Sequence, residues 1–159
     1  DIKVEAVRNF GSECVNVVLH GTSFEQAKEE ALRLSKEHGF TMVAPFDDED
    51  VIVGQGTIAR ELLEQNPDLD TLFIAVGGGG LIAGISVFLK QLKPDLKIIA
   101  VESNESACLQ AAMLAGKPVA LEHVGIFADG VAVKIIGEEP FRLCQKYVDE
   151  VITVNTDEI

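Results

Sequence analysis

Apolar positions along this chain fall into short β-rich runs and longer helical stripes, and the clearest pairing of the two lies at residues 71–84. The run Thr-Leu-Phe-Ile-Ala-Val at 71–76 predicts a strand, and apolar residues recur at helical spacing from Leu81 to Leu92. Between them stand four consecutive glycines, Gly77, Gly78, Gly79 and Gly80. A turn at Lys93-Pro94-Asp95 and a second β-rich run at 97–102 complete a strand, helix, strand crossover of the right-handed, parallel kind. Upstream, residues 2–7 and 15–20 predict two strands separated by a polar turn at 9–13. A helix is predicted between His20 and Phe40: Ser23 with Gln26 forms a capping-box pattern, Ala27, Ala31, Leu32 and Leu34 make the stripe, and Gly39 stops it. Residues 40–44 predict a further strand. After the acid run Asp47-Asp48-Glu49-Asp50, a solvated loop or helix-start cluster and a candidate hinge, residues 51–66 predict a helix with Ile58, Leu62 and Leu63 as its stripe. Gly54 and Gly56 in its first turns imply close packing or room for a loop or ligand.

Downstream, the pattern predicts a helix over 106–115 stopped by Gly116 and Pro118, and a Gly-rich stretch over 124–133 centred on Asp129-Gly130. A helix over 139–147 and a strand over 151–154 follow. Residues 155–159 read as an N-cap and first turn, and the chain opens on a predicted strand. The expectation is an internal piece of a longer polypeptide, with residues 1–45 in a smaller lobe and 46–159 in a larger one. Hydrophobic content of 47% with only 6% aromatic residues suits Val/Ile/Leu-packed parallel strands. The fold class expected is α/β, three-layered and open, with mainly parallel sheets covered by helices.

Charge and composition narrow the function. The 159 residues carry 26 acids against 13 bases, a net charge of −13, with no Lys/Arg cluster to track a phosphate backbone, so nucleic acid and anionic membrane are excluded as partners. No apolar run approaches the length of a membrane span, and the first residues carry no targeting pattern, which predicts a cytoplasmic protein. Cys14, Cys108 and Cys144 are odd in number and widely spaced, and read as reduced packing residues. His20, His38 and His123 show no metal-ligand spacing, and no metal residue is assigned.

Candidate chemistry therefore concentrates at the glycine turn. Four glycines where strand passes to helix allow positive φ and close approach of the backbone to a ligand, at a cost in backbone order that packing does not explain. The N–H groups of Gly77 to Leu81 would face out at a helix N-terminus, where dipole and unpaired donors favour an anion, naturally a phosphate. Gly78, Gly80 and Ala83 also satisfy the dinucleotide spacing G-x-G-x-x-A, with Glu102 ending the next strand 19 residues after Ala83. The residues alone leave three readings open: a phosphate cup, a nicotinamide-dinucleotide domain of an oxidoreductase, and a non-catalytic anion-binding module.

Five stretches shift the balance: Val7-Arg8-Asn9-Phe10-Gly11, Val53-Gly54-Gln55-Gly56-Thr57, Val76-Gly77-Gly78-Gly79-Gly80-Leu81, Ala100-Val101-Glu102, and Phe127-Ala128-Asp129-Gly130-Val131-Ala132-Val133-Lys134. In these the chain resembles, along essentially its whole length, the tryptophan-synthase-β-like pyridoxal-phosphate enzymes, and within them the threonine dehydratases of the biosynthetic kind. The resemblance implies pyridoxal 5'-phosphate as cofactor, held at its phosphate by Gly77, Gly78, Gly79, Gly80 and Leu81, with Gly130 beside the ring. It implies a lyase of isoleucine biosynthesis that takes an amino acid, threonine or serine, to a 2-oxo acid and ammonia, and a homo-oligomeric parent protein. The family's Schiff-base lysine, in a Phe-Lys motif, has no counterpart here, nor do its ring-clamping asparagine and the serine facing the pyridine nitrogen. Lys134, the lysine nearest a motif, lies on a segment read as structural. No catalytic residue is assigned, and the expectation is a fragment inactive by itself.

Overall fold

The computed structural model describes residues 2–22 and 24–159, and the chain divides into two compact units, Asp1–Met42 and Val43–Ile159. The first unit is helical: α1 (Ile2–Gly11) and α2 (Phe24–His38). The strands predicted at 2–7 and 15–20 are therefore corrected. Residues 2–7 lie within α1, and residues 15–20 belong to neither helix nor sheet. The strand predicted at 40–44 is likewise irregular. Runs of five or six residues with two or three β-branched side chains form a strand only when a neighbouring edge takes their main-chain bonds, and none is paired to these runs among the described residues. A helix instead closes its bonds internally. Ser23, the predicted cap of α2, lies outside the described residues, but the predicted stop is present: Gly39 has φ +70°, the Phe40 amide donates to the Ser35 carbonyl at 3.0 Å, and Ser35 Oγ donates to the Phe40 carbonyl at 2.6 Å. Among the described residues 2–42 none is buried, so this unit has no core of its own.

The second unit holds the core. It runs α3 (Glu49–Gln65), β1 (Thr71–Ala75), α4 (Gly80–Leu92), β2 (Lys97–Ser103), α5 (Cys108–Ala115), α6 (Glu138–Tyr147) and β3 (Glu150–Val154), with a short 3-10 turn at Asp129–Val131 before α6. The strands form one parallel sheet in the order β1-β2-β3, with Thr71 opposite Lys97 and Ile99 opposite Glu150. Side chains alternate across a strand, and Ile74, Ile98 and Ala100 form the buried face of the sheet, while on the other Ile99 is half-buried and Phe73 is 61% exposed. Asp149 sets the start of β3: its amide donates to the Ile98 carbonyl at 2.9 Å, its carboxylate accepts from the Ile98 amide at 2.7 Å, and Lys90 Nζ sits 2.8 Å from it.

Helix α4 is apolar around most of its circumference and is correspondingly buried, with Ile82, Ala83, Ile85 and Leu89 in the core. It packs on α3 and α6. Its contact with α3 is close because glycines face each other: a Cβ on Gly56 would lie 3.2 Å from the Gly84 carbonyl oxygen, and one on Gly84 only 2.2 Å from the Ile52 carbonyl oxygen. That contact rotates α3 relative to expectation. Its buried residues are Ile52, Gly56 and Ala59, with Leu63 continuing the same stripe, whereas Ile58 is 39% exposed. Gly54 packs against nothing. No helix among the described residues is long and apolar enough to cross a membrane.

Candidate anion-binding site

The last ladder bond of β1 runs from the Val76 amide to the Val101 carbonyl at 2.9 Å, and the glycines then turn the chain into α4. Gly79 takes φ +88° and is the cap of α4, a left-handed backbone that a side chain would strain. Three successive carbonyls of the turn are held. Gly77 O accepts from Cys108 Sγ at 3.3 Å, Gly78 O from the Gly137 amide at 3.2 Å, and Gly79 O from the Ala83 amide at 3.0 Å. The amides behave differently. Among the described residues no acceptor is recorded for the N–H groups of Gly77, Gly78, Gly79, Gly80 or Leu81, although Gly78, Gly79 and Gly80 are buried. Buried main-chain donors without a partner are rare, and each costs free energy comparable to a lost hydrogen bond.

The glycines are also required by packing, which corrects the expectation that packing gives no reason for them. A Cβ on Gly78 would fall 2.2 Å from the Phe46 ring, one on Gly80 2.9 Å from the Phe46 carbonyl oxygen, one on Gly79 2.9 Å from Pro140, and one on Gly77 3.1 Å from the Cα of Val131. The Asp129–Val131 turn thus comes against Gly77. Gly130 within it is exposed and meets nothing within 4 Å. Leu81 is half-buried in the first turn of α4.

The other helices of this unit show what the start of α4 lacks. Asp48 caps α3, its Oδ1 accepting from the amides of Asp50 at 3.0 Å and Val51 at 3.2 Å. Asp47 reaches across to α6, accepting from Glu138 and Glu139 at 3.0 and 3.1 Å. Glu102, fully buried, accepts from Leu109 and Gln110 in the first turn of α5 at 2.8 Å each. Three of four helix N-termini therefore receive a carboxylate from the chain itself, and α4 alone has none. Its open amides fit an anion with several acceptor oxygens, such as the phosphate of a cofactor.

Glu102 decides against the dinucleotide reading, because the carboxylate meant for a ribose is turned into the core and bound to two amides. Burial is the largest influence on it and holds its carboxyl above the ordinary 4.5, although hydrogen bonds from Leu109, Gln110 and Cys108 pull the other way. Burial, then the nearby Glu102 charge, pushes the Cys108 thiol up to about 12, and burial does the same for Cys144. Both cysteines pack as expected. Cys14 is exposed, which corrects its assignment as a packing residue. Among the described residues no three His, Cys, Asp or Glu side chains gather as metal ligands.

Sequence reasoning missed Asp47 and Cys108 as parts of the candidate site. Two aspartates immediately before a helix were the available signal for the caps, but a cap donated across 91 positions, from Asp47 to Glu138, leaves no local trace.

Comparison with known proteins places the chain. The family model described as "Pyridoxal-phosphate dependent enzyme" matches residues 1–159. The chain is 59% identical to the L-threonine dehydratase biosynthetic IlvA of Escherichia coli K12, over 100% of this chain and 30% of the relative. Among solved structures it is similar to the processed form of threonine deaminase isoform 2 from Solanum lycopersicum, with TM-score 0.91, 46% identity, and coverage of 98% of this chain and 45% of that one. It is similar also to maize serine racemase, with TM-score 0.91, 31% identity, and coverage of 98% and 46%. The chain thus spans about a third of the length of the curated relative, and a little under half of each solved chain.

Proposed function

The chain belongs to the pyridoxal-phosphate dependent enzymes, and on that premise we propose that it forms the phosphate-holding part of a threonine dehydratase. The whole protein would convert L-threonine to 2-oxobutanoate and ammonia for isoleucine biosynthesis, as the biosynthetic naming of its Escherichia coli relative suggests. The observation that carries this reading is the start of α4: buried, unpartnered amides at the one helix N-terminus of the unit that receives no carboxylate.

In this reading the N–H groups of Gly77, Gly78, Gly79, Gly80 and Leu81 bind the phosphate, and Gly130, one residue from the contact with Gly77, lies beside the ring. When bound, the cofactor supplies an electron sink for charge developing at the substrate Cα. The chain's own contribution is to hold and orient. Phe46, Ile136 and Pro140 pack against the turn where side chains on Gly78, Gly79 and Gly80 would stand, and so hold its backbone in place. No lysine here stands in the family's Phe-Lys motif, and we assign this stretch no turnover by itself. Residues 1–45 belong in this reading to the smaller lobe of the catalytic domain and 46–159 to the larger, in a cytoplasmic homo-oligomer. Serine stays beside threonine as a substrate, given the likeness to maize serine racemase.

The test is a titration of the chain with pyridoxal phosphate, inorganic phosphate and NAD, read from the amide resonances of Gly77 to Leu81. The expected result is saturable movement of those amides with the first two ligands, in mutual competition, and none with NAD. Unmoved amides in a folded chain overturn the assignment.

A further inference from the structure

The unpartnered amides of the glycine turn owe their direction to what holds the carbonyls behind them. In a trans peptide the C=O of one residue and the N–H of the next point to opposite sides, so a donor on the carbonyl of Gly77 fixes where the Gly78 N–H points. Gly77, Gly78 and Gly79 each have such a donor. Two of the three are main-chain amides, and the third is a side chain.

We propose that Cys108 is a positioning residue for the anion site: its buried thiol, donating to the Gly77 carbonyl at 3.3 Å, aims the Gly78 N–H at the bound phosphate. The role rests on the phosphate reading of the turn. Cys108 is fully buried at the first position of α5, and the Gly77 that it meets is half-buried. A thiol has one proton to give. The Glu102 carboxylate beside it is a second acceptor with lone pairs to spare, although each of its oxygens already takes a main-chain proton at 2.8 Å, and the bond that the thiol makes at 3.3 Å is the one to the Gly77 carbonyl. With its pKa pushed up to about 12, the sulfur keeps its proton through the neutral range. A thiolate there would repel both the carbonyl and an arriving anion.

The test compares Cys108→Ala, Cys108→Val and Cys108→Ser in the whole chain, reading inorganic phosphate affinity and, without phosphate, the amide resonance of Gly78. The donor-less Ala and Val variants are expected to weaken phosphate binding about fivefold, the factor that a hydrogen bond of about 1 kcal/mol represents, and to move the Gly78 amide. Serine keeps a donor and is expected to stay within about twofold of the unsubstituted chain. Valine fills the volume that alanine vacates, so a fold lost to a cavity does not decide the matter. In the unsubstituted chain, replacing the thiol proton by deuterium is expected to shift the Gly77 carbonyl carbon, and no shift overturns the bond. Phosphate binding that the donor-less variants leave unchanged, or a serine variant as weak as alanine, overturns the role alone. An unsubstituted chain that binds no phosphate overturns the phosphate reading and the role with it.

Discussion

Glu102 is a carboxylate placed where a charge is expensive and hydrogen bonds are plentiful, and burial wins. The folded chain holds its proton to a higher pH than the unfolded chain does, so between the two values the native state binds more protons. Stability contributed by this group is therefore present below about 4.5 and is lost as pH rises through the folded value. Glu102→Gln removes that titration but leaves one α5 amide facing a donor, a cost of about 1–3 kcal/mol. Urea unfolding across a pH series should find the substituted chain the less stable, with the gap narrowing as pH rises. A gap that widens would contradict the burial-dominated shift. Cys108 and Phe46 make the complementary point about sequence reading. Phe46 stands directly before four acids and Cys108 between Ala107 and Leu109, and nothing local separates a thiol that holds a carbonyl from one that only packs.

At the scale of elements, the two glycines that the pattern treated alike in α3 have opposite consequences. Gly54 has open space where a Cβ would stand, and Gly54→Ala is expected to stabilise by up to about 1 kcal/mol through helix propensity and a less disordered unfolded chain. Gly84, on the facing helix, meets backbone at 2.2 Å, and Gly84→Ala is expected to cost about 3 kcal/mol or more because α3 and α4 must separate. Denaturant melts of the two variants order them directly. Asp47→Ala removes the acceptor of two α6 amides and should cost about 1–2 kcal/mol by the same melts. It should also weaken phosphate binding, since the Gly137 amide beside that cap holds the Gly78 carbonyl. Parallel β1 and β2, α4, and the stop of α2 at Gly39 were legible in the sequence because each carries its own signal: an apolar run, a helical stripe, a glycine at positive φ. Residues 2–7, 15–20 and 40–44 were misread because β-branched alternation describes what a run could pair with and not whether an edge is there to meet it. The stripe of α3 was misplaced onto Ile58 because a glycine-to-glycine contact outweighed side-chain size in deciding which face turns inward.

On the scale of the whole molecule the two units differ in kind. The described residues 2–42 bury nothing fully and expose Ile2, Phe10, Leu19, Phe24 and Phe40, while Val43–Ile159 closes a core around α4 and the sheet. The glycine turn's share of the candidate site was readable in advance, since no other stretch combined strand, tetraglycine and helix. The parts that complete it, from Phe46, Asp47, Cys108 and Gly137, come from four separate places in the chain, and only the fold assembles them. The open start of α4 sits in a body of net charge −13, and that contrast has a kinetic side. A phosphate dianion drifting in from solution first meets a repelling cloud and feels the amides only at close range. Salt thins the cloud, whose reach is about 8 Å at physiological ionic strength, far more than it weakens contacts with buried donors. Stopped-flow capture of phosphate should therefore quicken as inert salt is added while release changes little, the reverse of the slowing that a positively charged anion trap would give.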